Sequence, residues 1–293
     1  MKTRNLIIGI IAIIAFASCG GSGSKKTESA GEGTGNAVSQ SDKPLNISIY
    51  LDLSDRLKRD LTPSQKDRDL AIVGHVADYF RAQTVGPKIL QSKNNIKVFF
   101  YPAPNSSDIA TLAEDLCIDI TKFNGVEKRV VLDGDANQGK PSLKERFNKN
   151  LSAIYDKTLE ANQWPGCDIW DFFSNKNVDT QCIRDGFRNI LIILTDGYLF
   201  DEKHKVQDGN AYSYVTPATL RNPNTSLIVK RTGLKNLEVR ILEVNPTDIN
   251  HRDQLKNVLE NWLKGMGVKE ENITVSQTDL PSNTQTIVDS FLN

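Results

Sequence analysis

The sequence predicts an α/β domain with an open, mostly parallel twisted sheet and helices on both faces. Strand patterns alternate with helix patterns from residue 44 to residue 293, the order typical of parallel sheets with crossover helices. One run, residues 190–194, is apolar throughout, as a central strand buried on both faces requires. The 36 basic and 36 acidic residues cancel, so the composition does not imply a strongly basic surface for nucleic acid.

The elements can be justified in order from the first strand, residues 45–53, where apolar and smaller side chains alternate. A helix follows Pro63 and ends before Pro87, because its apolar residues recur at helical spacing and a Gly-Pro pair stops the run. The later elements are predicted as strands at 96–101, 129–132, 190–194, 237–244 and 273–276, and helices at 107–123, 141–159, 252–263 and from 281 onward. We therefore expect a single domain over residues 44–293, with the polar stretch 198–224 as an insertion.

The N-terminus predicts export. Two basic residues, an apolar run and small residues stand before Cys19, which describes a secretory signal peptide over residues 1–18. The placing of Cys19 resembles the lipobox of bacterial lipoproteins, with Phe16 where that family more often has Leu. The resemblance implies that Cys19 is lipidated and holds the protein on a bacterial membrane, on the periplasmic side or at the cell surface. Residues 19–43 have almost no large apolar side chains and are predicted to be a flexible linker.

The other cysteines carry two predictions. Cys117 falls in a helical apolar pattern and is expected to be a buried small residue. Cys167 and Cys182 flank a 14-residue segment and are the candidate pair for a disulfide, with free thiols as the alternative. Aromatic residues around Cys167 are interpreted as a small core or as a partner-binding surface; they are Trp164, Trp170, Phe172 and Phe173.

Acidic and hydroxyl side chains follow three of the predicted strands. Asp52 and Ser54 follow the first strand, Asp133 and Asp135 follow the short third strand, and Asp196 follows the apolar central strand. Ligands of open parallel sheets bind beyond the carboxyl ends of the strands. Carboxylate and hydroxyl oxygens at that edge are suited to a hard divalent cation such as Mg²⁺.

Two of these motifs resemble the von Willebrand factor type A domain. That family has D-x-S-x-S after its first strand and an Asp after a later apolar strand, and Asp52, Ser54 and Asp196 match these positions. The resemblance implies a site for Mg²⁺ or Ca²⁺, with Ser142 as the candidate for the family's middle Thr. Arg56 stands where the family has its second Ser, and its guanidinium is the alternative occupant of the metal position.

A second cation site is predicted at Asp133, Asp135 and Asn137, which copy the opening of a calcium-binding loop. Lys144 stands where an EF-hand needs a bidentate Glu, so only a looser site is compatible. The same carboxylates, with Thr195, also resemble the site of haloacid-dehalogenase-like phosphatases. A metal-dependent phosphohydrolase using Asp133 and Asp135 is therefore the alternative function.

The combined prediction is a membrane-anchored lipoprotein of the cell envelope. Its domain resembling the von Willebrand factor type A fold is expected to bind a protein or other macromolecule through the loops beyond the strands. The membrane is the second predicted partner, through the N-terminal lipid, and nucleic acid is not expected as a partner.

Overall fold

The fold is built on six strands that form an open sheet, in the spatial order Cys117–Asp119, Asn95–Phe99, Leu45–Leu51, Arg188–Leu194, Leu237–Val244 and Ile273–Gln277. The computed structural model describes residues 43–86, 89–198, 207–208, 211–212, 220–222, 227–246 and 252–293, all within the compact unit Val38–Asn293. The predicted signal peptide, Cys19 and linker lie outside these residues, and so does most of the predicted insertion. Among the described helices, none has both the length and the apolar character needed to cross a membrane.

The strands are β1 Leu45–Leu51, β2 Asn95–Phe99, β3 Cys117–Asp119, β4 Arg188–Leu194, β7 Leu237–Val244 and β8 Ile273–Gln277, with a separate two-residue pair, β5 Gln207–Asp208 and β6 Ala211–Tyr212. The helices are α1 Gln65–Thr84, α2 Ser107–Glu114, α3 Gly125–Asp133, α4 Leu143–Ala161, α5 Ile169–Ser174, α6 Asn177–Cys182, α7 Arg252–Met266 and α8 Pro281–Leu292. Only β3 runs antiparallel to its neighbour in the large sheet. The other five strands therefore begin at one edge of the sheet, called here the amino edge, and end at the opposite carboxyl edge.

Two apolar layers sandwich the sheet. Helices α1, α2, α4 and α8 cover one face, where Ile47 and Ile49 of β1 are fully buried. Helices α5, α6 and α7 cover the other face, which receives Tyr50 from the same strand. Because side chains of a strand alternate between faces, β1 contributes to both layers, as a central strand must. The predicted fold class, an open and mostly parallel sheet covered on both sides, is confirmed.

Two predicted elements are wrong. Residues 129–132 were expected as a strand but belong to α3, because Asn124 and Glu127 form a capping box that starts a helix there. The predicted helix 107–123 ends early, and the chain continues as the edge strand β3. Ile118 is buried while Cys117 is exposed, so the side chains alternate with the two-residue period of a strand. Cys117 is thus not the buried residue that a helix predicted.

Of the two alternatives for Cys167 and Cys182, a disulfide or free thiols, the structure has free thiols, and both are buried. Cys182 lies near the start of β1, where its carbonyl accepts a hydrogen bond from Asn46 Nδ2 at 2.8 Å. Cys167 lies instead beside the Tyr50 hydroxyl. Burial raises the pKa of Cys182 to about 11 and raises that of Cys167 well above its ordinary value. Both cysteines therefore act as apolar core residues.

Candidate functional site

The carboxyl edge brings together the ends of β1 and β4. The strands pair in parallel register up to Leu51 and Leu194, so the residues that follow each of them, Asp52 and Thr195, lie side by side. Thr195 Oγ1 donates to Asp52 Oδ2 at 2.8 Å, and the backbone amide of Ser54 donates to the other carboxylate oxygen at 2.9 Å. Asp52 is only 2% exposed. Its carboxylate is therefore buried and fixed from two sides.

Arg56 supplies a positive charge to this buried carboxylate. It lies in a single turn of 3-10 helix that starts after Ser54, whose Oγ accepts from the Arg56 amide. The guanidinium Nε donates to the Asp52 carbonyl at 3.0 Å and lies 3.8 Å from Asp52 Oδ2. Its Nη2 donates to Asp69 Oδ2 at 2.6 Å. With 1% of its surface exposed, Arg56 lies between two buried carboxylates.

Asp69 holds this arginine against the helices. Its carboxylate also accepts from the Tyr155 hydroxyl at 2.7 Å and from Gln65 Nε2 at 2.9 Å, so α1 and α4 both contact it. Burial alone would lower the pKa of Arg56, but the charges of Asp69 and Asp52 raise it above its ordinary value. The guanidinium is therefore permanently charged, as a buried ion pair with several hydrogen bonds requires.

A second arginine contacts the remaining predicted ligand. Arg59 Nη2 donates to Asp196 Oδ2 at 2.8 Å, and 22% of the Arg59 side chain is exposed. Burial and the neighbouring charge of Asp52 raise the pKa of Asp196 to about 6, more than Arg59 and Arg56 lower it. Gly197 follows with a φ of +101°, and a Cβ there would lie 2.8 Å from Val244 Cγ1. Only glycine therefore fits the turn that directly follows Asp196.

The residues present do not fit a divalent cation. Each carboxylate predicted to bind it, Asp52 and Asp196, is paired with a guanidinium instead. Arg56 offers no oxygen at the position of the second Ser, and the Oγ of Ser54 serves as a helix cap. Within the described ranges, no group of three or more His, Cys, Asp or Glu residues has a metal-binding arrangement.

Ser142 is not brought to this site. It caps the first turn of α4, where its Oγ accepts from the Glu145 amide and donates to the Glu145 carboxylate. Tyr155, at the other end of α4, is the residue that contacts Asp69. Tyr155 comes 13 positions after Ser142, which corresponds to about 20 Å of helix. The predicted ligand Ser142 thus lies at the amino edge and cannot share an ion with Asp52.

The predicted second cation site is not assembled either. Asp133 ends α3 and accepts a hydrogen bond from Arg81. Asp135 accepts from the amides of Asn137 and Gln138 and so closes a tight turn. Because no strand precedes these residues and each carboxylate has a structural partner, the basis for a phosphohydrolase at Asp133 and Asp135 is removed.

The sequence analysis did not identify several residues that bind Arg56 and the charged groups around it at the carboxyl edge. Asp69 and Gln65 lie one turn apart on the buried face of α1, and polar residues on an apolar helix face were the available signal. Glu243 was hidden in an apolar strand. It has a φ of +64° at a bulge between β7 and β8, and it accepts from Arg68 Nε at 2.7 Å. Such positive φ angles outside glycine are uncommon and concentrate at functional sites.

The aromatic cluster divides into core and surface. Phe172 and Phe173 are fully buried, and Phe173 packs edge-on against Trp262 at a ring separation of 5.2 Å. These two residues are therefore core. Trp164 is half-buried, and the ammonium group of Lys58 lies 4.8 Å from its ring centre. Trp164 and Lys58 thus flank the loop that carries Arg56 and add to the outer surface of the carboxyl edge.

We expect Asp196 to make the folded protein less stable as pH rises. The folded state binds its proton more tightly than the unfolded chain, because its pKa is about 6 instead of 3.8. The stabilising contribution is thus present at low pH and lost as pH rises through about 6. Compared with Asp196→Asn, the wild type should lose about 2 kcal/mol between pH 4 and pH 7. Urea unfolding at a series of pH values measures this difference. Asp55→Asn, at the exposed surface of the same edge, is the control.

The expectation would be contradicted if the difference in free energy of unfolding between the wild type and Asp196→Asn were the same at every pH.

Comparisons with known proteins give limited similarity. No protein-family model matches the chain, and no curated protein matches it. An aerotolerance-related membrane protein from Bacteroides fragilis is 11% identical at a TM-score of 0.35, over 85% of this chain and 98% of that one. The protein BatB from Bacteroides thetaiotaomicron is 14% identical at a TM-score of 0.36, over 84% and 97%. The pilus adhesin SpaC from Lactobacillus rhamnosus GG is 13% identical at a TM-score of 0.41, over 85% of this chain but 30% of the adhesin.

We therefore assign the fold from the strand order and the positions of the motifs in this chain. One antiparallel edge strand, five parallel strands and helices on both faces form the described domain. Asp52 and Asp196 follow adjacent central strands, where the D-x-S and T-D-G motifs predicted them. With this strand order and this placement of the motifs, the chain has a von Willebrand factor type A-like fold.

Proposed function

We propose that this protein is a lipid-anchored protein of the cell envelope whose von Willebrand factor type A-like domain binds an acidic group of a protein or other macromolecule. Binding occurs at the carboxyl edge, and an arginine takes the part that a divalent cation has in the family. The observation that carries the proposal is the pair of guanidinium groups, Arg56 and Arg59, on the carboxylates Asp52 and Asp196.

The two arginines have different roles. Arg56 is buried and neutralises Asp52 and Asp69 inside the domain, so it has no contact with a partner. Arg59 is partly exposed and contacts Asp196 on the outer side. A guanidinium presents several donors in one plane and can bind a carboxylate through two hydrogen bonds. A carboxylate of the partner that replaces Asp196 on Arg59 would leave Asp196 to take up a proton, which its raised pKa favours.

The N-terminal sequence supports the location in the envelope. Residues 1–18 have the order of a secretory signal, and Cys19 stands at the lipidated position of a lipobox. Lipidation adds acyl chains whose burial in a bilayer provides the anchor. The full-length protein should therefore partition into the detergent phase of Triton X-114, and Cys19→Ser should move it to the aqueous phase.

Partner binding is tested by a photo-crosslinking amino acid placed at Lys58 in the living source cells. This exposed position at the carboxyl edge should give a crosslinked product of defined mass. We expect Arg59→Met to reduce its yield and EDTA to leave the yield unchanged. Gln138, an exposed loop residue at the amino edge, is the matched control position and should give no such product.

The outcomes separate the parts of the proposal. Absence of a product at Lys58 would contradict binding at this edge, whatever the state of the anchor. A product that disappears with EDTA and returns with Mg²⁺ would contradict the role given to arginine. An equal yield in wild type and Arg59→Met would show that this side chain does not hold the partner.

A further inference from the structure

We propose that the amino edge of the domain docks on the anionic lipid surface to which the protein is anchored. The docking surface consists of an apolar pair, Leu90 and Val126, and three basic side chains, Lys93, Lys122 and Arg129. The inference rests on the proposed lipid anchor and adds to it a defined orientation of the domain. Two features of the described residues carry it: the composition of this surface and the point where the chain enters the domain.

The apolar pair is the most exposed among the large apolar side chains of the described residues. Leu90 is 70% exposed and Val126 is 75% exposed. The two lie together, because the side chain of Leu90 passes over Gly125, so closely that a Cβ there would be 2.4 Å from Leu90 Cδ2. Apolar side chains of this kind enter the boundary between headgroups and acyl chains when an amphipathic surface binds a bilayer.

A buried lysine holds this surface in shape. Lys128 Nζ donates to the carbonyl oxygens of Ile89 at 3.2 Å, Leu90 at 3.0 Å and Ser92 at 3.2 Å. These bonds fix the turn before β2 against α3. The backbone at Leu90 is therefore held in place, so docking does not have to order this turn.

The charge around the apolar pair suits an anionic surface. Residues 89–93 and 120–129 together contain four basic residues and a single acidic one. The acidic residue, Glu127, accepts from the amide of Asn124 as part of a helix cap. One of the basic residues is the buried Lys128, which leaves Lys93, Lys122 and Arg129 exposed. Basic side chains beside an apolar contact strengthen binding to anionic lipids, an attraction that salt weakens.

The chain enters the domain at this same edge. Leu45, the first residue of β1, donates its amide to Asn94 Oδ1 at 2.8 Å, and Asn94 follows Lys93 directly. The 24 residues between Cys19 and Pro44 cannot reach farther than about 85 Å. An anchored domain on such a tether is at millimolar effective concentration near the bilayer, so weak docking contacts suffice. Because the chain enters the domain at the edge that carries the docking surface, the linker does not have to pass around the domain when this edge contacts the lipid.

Docking at the amino edge directs the proposed partner site away from the membrane. The seven residues of β1 cross the sheet over about 23 Å and end at Leu51, directly before Asp52. Arg59 and Asp196 thus lie on the side of the domain opposite to the lipid.

Tryptophan quenching by brominated lipid tests the orientation. Two variants of the full-length lipidated protein, Val126→Trp and Leu280→Trp, are reconstituted separately into phosphatidylglycerol vesicles with brominated acyl chains. Leu280 is the matched control, since it is 66% exposed and lies at the carboxyl edge after β8. We expect quenching at Val126→Trp, corrected for wild-type fluorescence, to be several-fold greater than at Leu280→Trp. Reversal of the three basic residues to Glu should abolish the difference.

The results distinguish docking from anchoring. Vesicles that float with the protein while neither Trp is quenched would overturn docking and leave the anchor intact. Equal quenching at the two positions would show that the domain has no preferred orientation, which also overturns the inference. Protein that fails to float at all, with unmodified Cys19 by mass spectrometry, would remove the anchor and the inference with it.

Discussion

We expect Arg56→Met to lower the free energy of unfolding by about 3–5 kcal/mol. The substitution keeps much of the side-chain volume but removes the positive charge between Asp52 and Asp69, both of which are buried. The neutral donors of the two carboxylates remain, but a buried carboxylate that has lost its hydration is then left without an opposite charge. Urea unfolding of the wild type and the variant at pH 7 measures the difference.

The control for Arg56 is Arg59→Met, which removes the other guanidinium of the same loop. Arg59 is partly exposed, and Asp196, although buried, can take up a proton when it loses this partner, so the loss should be only about 1 kcal/mol. Adding Asp69→Asn to Arg56→Met should recover part of the lost stability, because it removes one orphaned charge while keeping the shape. Equal losses in Arg56→Met and Arg59→Met would show that the buried network is not the stabilising one.

A second large effect is expected from Gly267→Ala, about 3 kcal/mol of lost stability. Gly267 directly follows α7 and has a φ of +112°, a conformation that L-residues rarely adopt. A Cβ there would lie 2.2 Å from the carbonyl oxygen of Arg231, which is backbone and cannot rotate away. The Arg231 amide donates to the carbonyl oxygen of Met266 at 2.8 Å. The added methyl group would therefore disrupt the contact between α7 and the segment before β7.

Variants at two other glycines distinguish the cost of a positive φ from the cost of a steric clash. Gly139 has a φ of +65° and open space around its Cβ position, so Gly139→Ala tests the conformational cost alone, about 1 kcal/mol. Gly86 has neither constraint, and Gly86→Ala should leave stability nearly unchanged. In thermal unfolding of the three variants, Gly267→Ala should therefore have the lowest midpoint temperature. A loss at Gly267 no larger than at Gly139 would show that the backbone of Arg231 adjusts.

The fold could be predicted because its signals are local. The apolar run of β4 and the alternation in β1 identify central strands, and β7 was predicted with its observed bounds, Leu237–Val244. Residues 117–132 were misassigned because short elements there carry conflicting periodicities. The buried residues on either side of β3, Leu116 and Ile120, fit a helical spacing, and the strand state of β3 is decided by pairing with β2.

The site was predictable only in part. Asp52, Ser54 and Asp196 were found from motifs, and Arg56 was recognised as the residue that departs from the family. Its partner Asp69 is 13 positions away on α1, where no motif marks it. The displacement of Ser142 to the other edge depends on the direction of α4, which spacing along the chain does not give. Contacts between distant elements are a property of the topology, and one sequence contains no direct record of them.

The buried contact between Arg56 and Asp69 also limits how this domain can diverge. A change at position 56 alone leaves Asp69 without its ion pair, and a change at position 69 alone leaves the guanidinium unpaired. Each single step is strongly destabilising, while a joint step to uncharged residues of similar volume is not. Relatives that carry an uncharged residue at position 56 should therefore have lost the acidic residue at position 69 as well. In a large alignment the two positions should covary, with few sequences that have changed only one.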